Sequence, residues 1–69
     1  MYKEIVEHLT VQKIGQYGIV KVKEQKYFDN GKKWGSPNLI YDVCLDGGEG
    51  DIVASFYLLK YARQWAKEN

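Results

Sequence analysis

The stretch that decides the fold of this chain is IVASFYLLKYARQW, residues 52–65, near its carboxyl end. One interpretation is a helix that begins at Asp51, whose side chain would cap the amino end. Phe56 would then lie on the side of that helix that carries its basic residues, where nothing explains an exposed phenylalanine. This interpretation leaves a large apolar side chain without a partner.

The other interpretation divides the stretch into a strand followed by a helix. If residues 52–56 form a strand, Phe56 alternates inward and gains a buried position. Ser55 then caps a helix that begins near Ser55 or Tyr57 and continues to about Lys67. The apolar side of this helix consists of Leu58, Leu59, Ala62, Trp65 and Ala66. We prefer this interpretation because it accounts for Phe56.

Glycine clusters divide the rest of the chain into further strands. The alternation of residues predicts strands over about residues 5–14, 17–28 and 39–45, with a tight reversal at residues 15–18. Residues 29–38 are expected to be a turn and loop, because Pro37 interrupts the strand pattern. The prediction is therefore one α+β domain over residues 1–69, a small antiparallel meander of three to four strands with one C-terminal helix on one face.

The second segment predicts which side chains of that sheet are exposed. Val20 and Val22 alternate and are the expected core residues of this strand. Lys21 and Lys23 would then point away from the helix. The whole expected core consists of Val6 or Leu9, Val20, Val22, Tyr41, Val43, Leu45, Ile52, Ala54, Phe56, Leu58, Leu59, Ala62 and Trp65.

The strand and helix of residues 52–65 resemble the carboxyl-terminal part of many small phage and prophage accessory proteins. The shared pattern is a strand followed by Phe-x-x-Leu-Lys-x-Ala-x-x-Trp, here from Phe56 to Trp65. The same layout resembles the integrase N-terminal and plant AP2-type DNA-binding modules, in which a three-stranded sheet packs on one helix and enters the major groove. The resemblance implies a sheet with a C-terminal helix, although the Gly-Trp-Arg-rich sheet face of those modules is absent here.

The composition argues against most kinds of catalytic and metal-binding site. The chain has 69 residues and 8.0 kDa, one histidine and one cysteine, Cys44, which we expect to be a structural strand residue. No phosphate loop or zinc-ligand spacing is present, and Asp46, Glu49 and Asp51 lack the alternating spacing of a calcium loop. We therefore expect no enzyme activity, no cofactor and no bound metal. No apolar run reaches the length of a membrane span, so we expect a cytoplasmic protein without membrane contact.

Charge is unevenly distributed although the net charge is +1. Residues 13–34 carry six lysines against two acidic residues, and residues 35–53 carry four acidic residues and no basic one. Lysines interleaved with aromatic residues are typical of nucleic-acid surfaces, because lysines neutralise phosphates and aromatic rings stack on bases or sugars. We predict a binding surface of Tyr17, Lys21, Lys23, Tyr27, Lys32, Lys33 and Trp34.

The partner of that surface is predicted to be a macromolecule, and a host or phage protein is favoured over nucleic acid. The chain contains one arginine, Arg63, outside the basic block, whereas sequence-specific DNA contacts rely on arginine. Tyrosine and tryptophan are enriched at protein-binding hot spots, and this chain has eight of them. DNA binding through an exposed basic and aromatic sheet face is the alternative. A homodimer is also compatible with the uneven charge.

Overall fold

The computed structural model describes residues 2–69, which form a four-stranded antiparallel sheet followed by one helix. The strands lie in the order β1-β2-β3-β4, so each pairs with its neighbour in sequence. The strands are β1 Tyr2–Ile14, β2 Tyr17–Phe28, β3 Lys33–Cys44 and β4 Ile52–Phe56. A short 3-10 turn, Asp46–Gly48, precedes β4, and the helix α1 spans Leu59–Glu68. The predicted α+β meander with a C-terminal helix is confirmed.

The stretch that decides the fold is a strand followed by a helix, as preferred from the sequence. Its predicted N-cap is wrong, however, because Ser55 lies within β4 and its Oγ donates a hydrogen bond to Asp42 Oδ1 at 2.7 Å. The residue before the helix is Leu58, in extended conformation and without a side-chain cap. Pairing in the sheet therefore removes Ser55 from the helix end.

Strand β3 begins earlier than predicted, and the loop expected over residues 29–38 is shorter. The pairing with β2 shifts from Glu24–Asn38 to Lys26–Trp34, so residues 35–37 bulge opposite Gln25. Pro37 lies within this bulge, a position where its missing N–H does not end a strand. Gly35 adopts a φ of 73°, and its carbonyl accepts a hydrogen bond from Gln25 Nε2 at 3.2 Å.

The two faces of β2 are the reverse of those predicted. Ile19 is fully buried and packs with Val43, Ala62 and Ala66, so the odd-numbered residues of β2 lie on the side of the helix. We call this side the helix-side face and the opposite side the far face. Val20 lies on the far face. The prediction failed because both alternating sets of β2 contain apolar residues, and alternation does not state which set meets the helix.

The core is therefore only partly the one expected. Val43 and Ala62 are fully buried, and Tyr41, Ala54, Phe56, Leu59 and Trp65 pack partly buried against them. Ile14, Tyr17, Ile19 and Ala66 belong to this cluster and were missed. Four expected core residues are exposed instead: Val6, Leu9, Ile52 and Leu58. Val22 is buried, but on the far face, and Val20 and Leu45 are partly buried outside the cluster.

Only one end of the sheet is covered. Helix α1 covers the helix-side face there, and the 3-10 turn lies over Gly18, Thr10 and Val20 on the far face. The molecule measures 44 × 20 × 15 Å, and the hairpin of β1 and β2 extends along the long direction. Residues 2–9, 21–28 and 33–40 lie beyond both covering elements. We call this part the open half of the sheet.

Candidate functional site

Four residues of the predicted binding surface lie on the helix-side face of the open half. Ile19 is on this face, so alternation also places Lys21, Lys23 and Tyr27 there, and Lys33 lies opposite Tyr27. The prediction that these lysines point away from the helix is wrong. Lys21 and Lys23 nevertheless remain partly exposed.

Two residues of the predicted surface lie elsewhere. Tyr17 is under the helix, where its ring meets Trp65 edge-on at a centroid distance of 5.2 Å. Its hydroxyl donates to the carbonyl of Asn69 at 3.4 Å, so Tyr17 belongs to the contact between sheet and helix. Lys32 lies in the turn between β2 and β3, where its backbone N–H donates to Asn30 Oδ1 at 3.0 Å.

Trp34 lies on the far face and forms an aromatic cluster there. Its ring stacks on Phe28 at a centroid distance of 5.3 Å and meets Tyr2 edge-on at 4.9 Å. Lys26 Nζ lies over the rings of Tyr2 and Trp34, at 5.3 and 5.8 Å from their centroids. We call Tyr2, Phe28, Trp34 and Lys26 the aromatic cluster. Tyr2 is 49% exposed, and Phe28 and Trp34 are 45% exposed, so much of each ring remains open to solvent.

A groove of ≈ 290 Å³ runs beside the aromatic cluster. Its walls are polar or charged except for the ring of Trp34, and they are formed by Glu4, Glu24, Lys26, Trp34, Ser36 and Asn38. Alternation in β2 and β3 explains this set, since all its members from those strands are even-numbered. The cluster and groove together combine exposed rings with carboxylates on one continuous face.

Tyr2 was missed because the first strand was predicted to begin at residue 5, and Phe28 was missed because it shares a face with Val20 and Val22, the face predicted to meet the helix. The sequence did contain a pattern that predicts the pairing of these two residues. The two-residue reversal at Gly15 and Gln16 aligns the two strands as a hairpin, and continuing that alignment past the bulge at Val11 pairs Tyr2 with Phe28. The second bulge, at residues 35–37, places Trp34 opposite Lys26 on the same face, and the sequence pattern did not reveal it.

The two faces of the open half differ in charge. The helix-side face carries four lysines against Glu7, namely Lys3, Lys21, Lys23 and Lys33. The far face carries Glu4 and Glu24 against Lys26. The lysines predicted as one surface with Trp34 are thus on the opposite side of the sheet from it. A single partner molecule docked on one face would contact the lysines or the aromatic cluster, but not both.

Cys44 is a free cysteine in β3. Burial, and after it the negative charge of Asp42, raise the pKa of the Cys44 thiol above its ordinary value of 9.0, which disfavours the reactive thiolate. Cys44 is 5% exposed. Within residues 2–69, no three histidine, cysteine or acidic side chains come together in a way that could hold a metal ion.

Comparison with protein-family models, curated protein sequences and solved structures finds no match to this chain. Within residues 2–69, α1 is too short to span a membrane, and no other helix is long or apolar enough to do so. The fold itself defines a small α+β protein built on an antiparallel sheet.

Proposed function

We propose that this chain is a non-enzymatic binding module whose partner is another protein, as in the phage-type accessory proteins that its sequence resembles. The observation that carries the proposal is the aromatic cluster on the far face. Three large rings, Tyr2, Phe28 and Trp34, lie in contact with one another and remain almost half exposed. Neighbouring exposed apolar side chains of this kind mark interaction sites more often than isolated ones do.

The cluster has the arrangement of a binding hot spot. Contacts within the cluster hold the rings in place, so binding would order few additional side chains. The surrounding groove supplies polar groups, among them the carboxylates of Glu4 and Glu24. A partner that presents an apolar side chain with a basic neighbour would match both the rings and the carboxylates.

The test is capture of partner proteins by immobilised variants. Wild-type protein and Trp34→Ala are exposed to an extract of the cells that express the protein, and the bound proteins are quantified by mass spectrometry. Trp34→Ala should lose the partner, and with purified partner the binding free energy should fall by at least about 2 kcal/mol, roughly 30-fold in Kd.

Tyr57→Ala is the matched control, because Tyr57 is 80% exposed and lies outside the aromatic cluster. It should bind the partner as wild type does. Thermal unfolding of each variant checks that the fold is retained. A set of captured proteins identical for wild type, Trp34→Ala and Tyr57→Ala would show that the cluster is not the interface.

Nucleic-acid binding is the second candidate, and a different observation favours it. Two lysines of the helix-side face, Lys3 and Lys33, lie opposite Tyr27, and Lys21 and Lys23 follow on the same face of β2. Such a face can neutralise phosphates while an aromatic ring stacks on a base. We rank it second because lysine does not make the paired contacts to bases that arginine makes.

A further inference from the structure

Strand β1 forms one edge of the sheet and has no partner on its outer side. It pairs with β2 alone, and every residue from Tyr2 to Val11 is exposed. The outward backbone N–H and C=O groups of an edge strand are a template for pairing with another strand. Segment 2–10 contains no proline, glycine or bulge that would prevent such pairing.

The side chains of this edge are unusually apolar for a solvent-exposed strand. Ile5 and Leu9 on the helix-side face are 48% and 64% exposed, and Val6 on the far face is 45% exposed. Charges protect natural edge strands, and the charges of this edge, Lys3, Glu4 and Glu7, oppose pairing where they meet a like charge across the edge. A strand added beside β1 would bury these side chains on both faces of the sheet.

We propose that the strand added at this edge is β1 of a second copy of this chain, paired antiparallel over residues 2–8 with the two Ile5 residues opposite each other. The two sheets would join into one continuous sheet. This inference goes beyond the proposed function, because it uses the backbone edge of β1 rather than the aromatic cluster.

The charges of Lys3 and Glu7 favour this register over the neighbouring ones. When two β1 edges pair antiparallel in one sheet, the helix-side faces of both copies lie on the same side of that sheet. Odd-numbered residues of segment 2–10 therefore lie opposite odd-numbered ones. Centring the pair on Ile5 places Lys3 of each copy opposite Glu7 of the other, which gives two opposite-charge pairs on either side of an apolar centre.

The neighbouring registers lack this match. A pair centred on Val6 places Lys3 opposite Leu9 and Ile5 opposite Glu7, and a pair centred on Glu7 places the two Glu7 carboxylates together. A pair centred on Glu4 opposes two carboxylates in the same way. The contact is self-complementary, as a two-fold symmetric dimer requires.

Charge exchange tests the proposal by sedimentation velocity over a dilution series. Wild type should form a species of twice the 8.0 kDa chain mass. Lys3→Glu and Glu7→Lys should each place like charges opposite one another and weaken dimerisation by about tenfold. An equimolar mixture of the two variants should restore dimers, because each Glu–Glu chain then faces a Lys–Lys chain.

Lys13→Glu is the control, since it makes the same charge change on β1 outside the paired segment. It should dimerise as wild type does. Glu7 lies opposite Lys23 within the chain, so Glu7→Lys is also made with Lys23→Glu in case the single variant does not fold. A wild type that stays monomeric at every concentration overturns the proposal. So does a dimer that the Lys3 and Glu7 exchanges leave unchanged.

Discussion

At the scale of single residues, Gly18 shows how tightly the covered end of the sheet is packed. The 3-10 turn lies against its backbone, and the N–H of Gly47 donates to the carbonyl of Gln16 at 3.0 Å. A Cβ on Gly18 would collide with the carbonyl carbon of Gly47. The contact would be with backbone atoms, so rotation of a side chain could not relieve the clash. The close approach explains why this position of β2 has no side chain.

Gly18→Ala should therefore destabilise the protein by about 3 kcal/mol or more, at the upper end of the overpacking range. The free energy of unfolding in urea measures the effect. Gly31→Ala is the matched control, because its Cβ would meet nothing within 4 Å and only its φ of 85° opposes the change. That strain amounts to about 1–2 kcal/mol. Equal losses in the two variants would mean that the turn does not pack on Gly18.

At the scale of elements, helix α1 depends on the sheet for its stability. It has ten residues and no side-chain cap at its amino end, and isolated helices of this length are marginal in water. Its attachment consists of the buried Ala62 and Ala66, the ring of Trp65 against Tyr17, and a hydrogen bond from Arg63 Nε to Gln12 Oε1 at 2.6 Å. The two alanines allow close approach, and Trp65 adds a large aromatic ring to the contact.

Trp65→Ala should cost roughly 3 kcal/mol, the lower end of the range for large aromatic residues, because Trp65 is only partly buried. A core this small gives a low free energy of unfolding, so this loss is a large part of the total. Thermal unfolding followed by circular dichroism measures the loss. Tyr61→Ala removes a 48% exposed aromatic ring from the same helix and should have a small effect. A cooperative transition for Trp65→Ala near the wild-type temperature would remove Trp65 from the core.

At the scale of the whole molecule, the uneven covering of the sheet separates two kinds of surface. The aromatic cluster and its carboxylates lie on the far face, and the lysines lie on the helix-side face of the same strands. The sheet between them is one layer of backbone. A change of charge on one face can therefore be made without altering the side chains of the other, and this allows the two candidate functions to be tested separately.

The double variant Lys21→Glu/Lys23→Glu makes this test. Both side chains lie outside the core, so the unfolding temperature should fall only by the effect of the like-charge contact that Lys23→Glu makes with Glu7. If the partner is a protein docked on the aromatic cluster, its capture should persist in this variant. If the partner is nucleic acid, binding to mixed-sequence DNA should weaken, and the slope of log K against log salt should become shallower by roughly 1.8 for two lost phosphate contacts. The proposed function requires the first result, and the second would replace it.

The sequence by itself determined the succession of elements. The reversal at Gly15 and the alternation of residues 17–28 predict the first hairpin, and the need to bury Phe56 predicts a strand before the helix. These features are local, because the period of a strand and the preference of a turn depend on residues close in sequence. The helix stripe containing Ala62 and Trp65 follows from local spacing in the same way.

The tertiary structure alone decided which face of the sheet meets the helix. Residues 17–23 contain Tyr17 and Ile19 on one side and Val20 and Val22 on the other, and period-two alternation is equally consistent with burying either pair. The packing of Ala62 and Ala66 against Ile19 settles the choice. It also decided the site, because the bulge in β1 places Tyr2 opposite Phe28 and the bulge in β3 places Trp34 opposite Lys26. Such shifts depend on contacts between distant residues, which no local pattern specifies.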